Sequence, residues 1–338
     1  MRRGQVIPIL EIAVFAVLAA APIITADYLT VFITRVLILA LLALSFDLVW
    51  GYSGIMSFGQ ALFFGAAGYG VALLARDLEI TSIFIALPVA LLIGLCLSLV
   101  LGGFLLLGRH PPTTIFVALG TLTGSYAADR LARGWYYLGG QNGIPSLPTM
   151  TAGVYEFSEG RFYYYLAFTV LAIAYLVCRF LVRSQFGLAL VGVREREARI
   201  AFFGYEAQQL KLIVFSLAGA IAGIAGGLYA FHEGFVGPNM LGVVLSTQSV
   251  LCTLLGGVGT LIGPVVGVIA IEIAGFWLAD SFPTMWPVML GLLLLLIVLF
   301  SPTGLIGLIA SERERVGSFG RPPLPTPRTK AGANDVAA

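Results

Sequence analysis

The chain has 338 residues, of which 59% are hydrophobic and only 11% are Asp, Glu, Lys or Arg. A water-soluble domain carries about 25% charged residues, so this composition excludes a soluble enzyme. A mean hydropathy of +0.98 likewise excludes a disordered chain, and the bilayer is the remaining solvent.

The N-terminal stretch joins Arg2 and Arg3 to an apolar run, as a signal peptide does. Pro22 directly after Ala19–Ala21 argues against cleavage there, and the run is read as a first transmembrane helix. A crossing takes about 20 apolar residues, and the apolar runs are too continuous for the alternating strands of a barrel. Spans are expected near 7–26, 30–50, 55–75, 82–108, 112–129, 162–178, 212–231, 241–257, 260–279 and 284–301. The expected fold is all-α: a polytopic transmembrane helical bundle of about ten spans, with glycine-broken helices, over residues 1–310. Residues 311–338 are polar and proline-rich and are expected to form a disordered cytoplasmic tail.

Orientation follows from basic residues in short loops. The 179–211 loop holds Arg179, Arg183, Arg194, Arg196, Arg199 and Lys211 against Glu195, Glu197 and Glu206. Placing it in the cytoplasm puts both termini there as well, and sends the 130–161 connection outward.

Two segments are rich in glycine: 50–70 and 254–268. Glycine lets helices pack closely. It also lets a helix break and offer backbone groups to a solute between structural repeats. Ser53, Ser57 and Gln60 stand in the first segment, and the composition leaves both uses open. Tyr52 and Asn142 are weaker path candidates, each equally suited to an internal hydrogen bond. Glu272 lies mid-span and has to face protein, a cavity or a subunit interface, because lipid-exposed charge is costly. Asp47 and Glu11 read as acids satisfied near helix ends, and His232-Glu233 as a wet helix end.

Catalytic chemistry is sparse. No metal-protease or phosphate-loop motif is present, the lysines are Lys211 and Lys330 alone, and His110 and His232 are too few for a histidine metal site. Cys96, Cys178 and Cys252 lie in apolar runs and form no zinc or disulfide pattern. No nucleic-acid signature and no cofactor motif is seen.

Six ordered segments carry a resemblance: 43–70, GGQNGI at 139–144, 186–205, 211–230, 254–267 and 286–308. Together they resemble the inner-membrane permease subunits of branched-chain amino acid ABC transporters, the LivM-like branch. The resemblance implies a pore shared with a homologous second permease, two cytosolic ATP-binding cassette subunits that bind and hydrolyse ATP, and an extracytoplasmic solute-binding protein. It implies a bacterial inner-membrane location, and a solute that is a branched-chain or other hydrophobic amino acid. Related permeases for urea and short-chain amides share the pattern. The family's coupling segment maps to Arg194–Gly204, with Glu195, Glu197, Arg199 and Gly204 as coupling residues. Arg199-Ile200 replaces a usual Ala-Ala pair, Ala201 stands at a usual acid, and Asp47 stands where relatives commonly carry Asn. The rival classes are a membrane-embedded enzyme, which predicts conversion of solute by this chain alone, and a non-transporting scaffold, which predicts no flux.

Overall fold

A computed structural model describes residues 6–108, 113–153, 155–157, 160–281, 285, 288–289, 291–292 and 304–309. Arg2, Arg3, His110, the 311–338 tail and most of the expected span 284–301 lie outside the described residues.

The described chain is almost entirely helical. Helix α1 (Val6–Ile24) carries Pro22 in its last turn and leads through two residues to α2 (Asp27–Asp47). A π-helical turn, Leu48–Ser53, prolongs α2, and α3 (Gln60–Asp77), α4 (Ile83–Leu106) and α5 (Thr114–Gly134) follow. After a long connection come α6 (Arg161–Arg183), α7 (Gln185–Ala201), α8 (Ala207–Glu233), α9 (Val243–Gly256), α10 (Ile262–Ser281) and a short α11 (Gly304–Ile309). Helices therefore stand at each expected position from 7–26 to 260–279. Five of the described helices, α1, α2, α4, α6 and α8, are long and apolar enough to cross a membrane, while α9 and α10 contain shorter apolar helices. The protein is a multi-pass membrane protein, and the count of ten crossings goes beyond what these helices show.

Helices α2 and α8 form the centre. Every residue from Val36 to Val49 is buried, as expected for a helix that is apolar all round. Helix α8 carries Gly219, Gly223 and Gly227 at four-residue spacing, which α4 meets with Ala90, Gly94 and Ser98 at the same spacing. A Cβ on Gly219 would collide with the Ser98 hydroxyl and one on Gly223 with the Ala90 carbonyl. The backbones thus approach as small-residue faces allow, and association rests on dispersion contact rather than on water release.

The two ends differ. At one, the connection from α5 to α6 forms two short 3₁₀ turns and a two-stranded antiparallel hairpin, β1 (Met150–Ala152) and β2 (Tyr155–Phe157), a local exception to the all-α expectation. The GGQNGI segment is anchored there by paired bonds between Ile144 and Val236, at 2.8 and 3.0 Å. At the opposite end, the stretch expected as a 179–211 loop is mostly helix. Helix α6 runs on to Arg183, and α7 buries Gly187, Leu190 and Val193 at three-residue steps against the bundle. The burial of that stripe is what converts a charged loop into a docked helix.

Candidate functional site

The two glycine-rich segments, some 200 residues apart, meet at the α7 end. Helix α2 ends in the π-helical turn, which Gly54 closes with φ +75°, a conformation that favours glycine. The chain then runs unwound to Gly59. On the other side, 257–261 separates α9 from α10. A Cβ on Gly51 would sit 2.8 Å from Gly259 Cα, so the two breaks touch backbone to backbone.

Asp47 joins them. Its carboxylate accepts the Gly259 amide at 2.7 Å and the Leu261 amide at 3.1 Å, and it is fully buried. The Tyr52 hydroxyl donates to the Gly259 carbonyl at 3.1 Å. Unwound backbone at membrane depth must find partners within the protein, and here neighbouring helices supply them. Phe58 N–H donates to Thr121 Oγ1 at 3.0 Å, while its carbonyl accepts from Ser125 at 2.9 Å and Ser246 at 2.6 Å. Ser246 also accepts the Ala61 amide at 3.2 Å. Ser53 returns to the Val49 carbonyl at 2.6 Å, and Ser57 accepts the Gly59 amide at 3.1 Å. Gln60 accepts from Ser45 at 3.2 Å, but its buried Nε2 has no hydrogen-bond partner among the described residues.

Helix α7 reaches this seam through one side chain. The Arg194 guanidinium donates to the Gly51 carbonyl, and the stem of Arg194 lies where a Cβ on Gly54 would come within 3.1 Å. Beside it is a cavity of about 220 Å³ lined by Ser53, Gly54, Arg194, Glu197 and Lys211 among others. Lys211, at the start of α8, holds Glu197 at 2.7 Å. Arg196 departs from helical geometry (φ −156°, ψ 93°), so α7 is kinked there and Ile200 folds back onto Gly192. Glu195, just before the kink, and Arg199, past it, are exposed, as are Phe202 (90%) and Phe203 (77%). Gly204 ends the segment at φ +82° with open space around it. A groove of about 660 Å³ lies here, lined by Glu197, Ala198, Ala201, Gly204, Tyr205 and Glu206 among others.

The remaining candidates lie elsewhere. Asn142 is exposed on the connection at the hairpin end. Glu272 is half-buried on α10 and accepts from Gln248 Nε2 at 2.7 Å. Glu11 forms an ion pair with Arg179 of the neighbouring helix α6.

Residues 28–299 match the model of the family described as branched-chain amino acid transport system / permease component. The chain belongs to this family. The permease is 27% identical over 296 residues to the high-affinity branched-chain amino acid permease protein LivM of Escherichia coli, covering 81% of this chain and 68% of that protein. It is 25% identical to a probable LivM permease of Methanocaldococcus jannaschii, over 79% of this chain and 89% of that one. It is also 27% identical to the autoinducer 2 import permease LsrC of Salmonella typhimurium, over 71% of this chain and 70% of that one. No solved structure matches the permease.

Sequence reasoning singled out Arg194 and both glycine-rich segments of the seam. It missed Ser246, Thr121 and Ser125, which hold the unwound backbone, because isolated Ser and Thr in apolar helices are common and carry no spacing signal. It also missed Arg35, whose position inside an apolar run was the available sign.

Proposed function

We propose that this permease is the pore-forming subunit of an ABC importer for branched-chain or other hydrophobic amino acids. The α7 end and both termini face the cytoplasm. A homologous permease completes the pore, two separate subunits bind and hydrolyse ATP, and an extracytoplasmic binding protein delivers solute at the hairpin end. The cytosolic ATPases press on α7 around Arg194, Glu195, Glu197, Arg199 and Gly204. The observation that carries this reading is the direct bond from Arg194 to the Gly51 carbonyl, which ties that helix to the two helix breaks in a chain of this family.

Alternating access requires two arrangements that differ in their contacts. The seam supplies contacts that can be exchanged: a carboxylate on two backbone amides, a tyrosine on one carbonyl, and Gln60 with a donor in hand. Tyr52, Ser53, Ser57 and Gln60 would line or gate the path as these bonds are remade, with Asn142 at its entrance and Glu272 along it. The exposed phenylalanines and the groove beside Gly204 suit a protein surface seated there.

A second reading, import of another small solute, is favoured by the similarity to LsrC, whose name assigns it to autoinducer 2 import; urea and short-chain amides belong to the same alternative. Both readings are tested by uptake of radiolabelled leucine into vesicles holding the complete transporter. Replacing Gly204 by Trp, at a positive φ that only glycine adopts without strain, is expected to leave membrane insertion intact and ATP hydrolysed while uptake is lost. Unchanged ATP-driven uptake in that variant would remove the coupling assignment, and a wild-type complex that moves another solute but no leucine would favour the second reading.

A further inference from the structure

Three charged side chains from three helices converge on one face of the bundle, away from the glycine seam. Arg35 of α2 lies two turns inside the start of that helix, with its side chain 46% exposed. Glu233 ends α8 with its side chain 32% exposed, and its carboxylate is 3.6 Å from Arg35 Nε. Glu272 of α10 is at the same level. Phe32 and Phe276 pack tilted, with 4.8 Å between ring centres, and one turn further in on each helix come Arg35 and Glu272.

Two other ion pairs among the described residues are built differently. Lys211 with Glu197 and Arg179 with Glu11 each match one cation to one anion across a helix contact. Here one guanidinium pairs with Glu233 while a second carboxylate, Glu272, stands at its level on the next helix, all three remain partly open, and Gln248 bonds one oxygen of Glu272. Charge left open on an apolar helix face is expensive in lipid, so such a face lines water or a protein-bounded cavity. The cluster sets two carboxylates against one guanidinium, whose remaining donors meet no hydrogen-bond partner among the described residues. Next to it stands an open apolar and aromatic surface: Phe276 is 41% exposed, Ile273 47% and Trp277 71%.

We propose that Arg35, Glu233 and Glu272 form a site for the charged end of a zwitterionic α-amino acid on its way through the permease. The ammonium group sits between the two carboxylates, and the carboxylate takes the free donors of Arg35. The aliphatic side chain lies on Phe276 and its neighbours. The charges are complementary in sign, carboxylates for the ammonium and a guanidinium for the carboxylate, and the apolar surface sits beside the charged one as an amino acid with a hydrophobic side chain requires. The site rests on the amino acid importer reading above, and it adds the residues that would recognise the solute inside the membrane.

The test uses the complete transporter in vesicles, with a leucine analogue bearing a diazirine in its side chain as the probe. Light-driven labelling during ATP-driven turnover is expected in the 27–47 or 262–281 peptides, and excess leucine should suppress it. Arg35→Gln and Glu272→Gln are each expected to lower leucine uptake about tenfold or more, as when a charge that pairs with the solute is removed. Arg35→Lys, which keeps the positive charge, should retain more uptake than Arg35→Gln. Labelling confined to other helices, or uptake by both glutamine variants within about twofold of wild type, would overturn the site while leaving the importer reading intact. Wild-type vesicles that move no leucine would overturn the importer reading and this site with it. Labelling of the wild type decides the matter on its own if a variant fails to assemble.

Discussion

The seam around Gly51 and Gly259 and the open patch around Arg35 handle charge in opposite ways. In the seam a lone carboxylate, Asp47, is fully buried and spends both oxygens on backbone amides that the helix breaks set free. In the patch three charges stay partly open and incompletely paired. The first pattern is that of an internal joint, where polar groups exist to satisfy broken backbone. The second is that of a surface awaiting something polar from outside the chain. An importer would need both, a joint that can be remade and a lining that can receive solute, and on the proposed reading this permease keeps them on different parts of the same central helix, α2.

The contrast is broken most severely at the glycine contact. Gly51→Leu would drive a side chain into the Gly259 backbone, and overpacking at such a contact costs about 1–3 kcal/mol or more. We expect loss of monodisperse protein after detergent extraction, measured by size-exclusion chromatography. Gly103→Ala, in α4 where a Cβ would meet nothing within 4 Å, should extract as the wild type does. If both behave alike, the seam is not a close-packed joint.

Asp47 sharpens the comparison at smaller amplitude. Asp47→Leu leaves the Gly259 and Leu261 amides without acceptors, at about 1–3 kcal/mol for each buried unsatisfied donor. Asp47→Asn keeps one acceptor oxygen and should cost only about 1 kcal/mol. Thermal unfolding in detergent should rank wild type, Asn, then Leu from highest to lowest melting temperature; equal melting temperatures would show that the carboxylate does not bind the two breaks together.

Much of this was readable in the chain itself. Apolar run lengths gave the helices, and the glycine clusters marked where two of them break. The meeting of those breaks was not readable, because Asp47 and Gly259 are joined across 212 positions and no local spacing encodes that register. Helix α7 was missed for a different reason. Its charges read as a loop, while Gly187, Leu190 and Val193 at three-residue steps already spelled a helix face. Arg35 escaped because one arginine in an apolar run has no meaning until Glu233 and Glu272 arrive from other helices. The GGQNGI glycines drew attention to Asn142, yet what the structure uses is the backbone: Gly143 lies so close to the Val236 carbonyl that a Cβ would collide with it.

The proposed coupling has α7 drive the seam through Arg194. Its most direct test is the number of leucine molecules imported per ATP hydrolysed by the complete transporter, compared between wild type and Arg194→Ala. Breaking the bond to the Gly51 carbonyl is expected to lower that ratio about tenfold, within the range of couplings carried between distant sites, with ATP still hydrolysed. An Arg194→Ala transporter with the wild-type ratio would contradict the account.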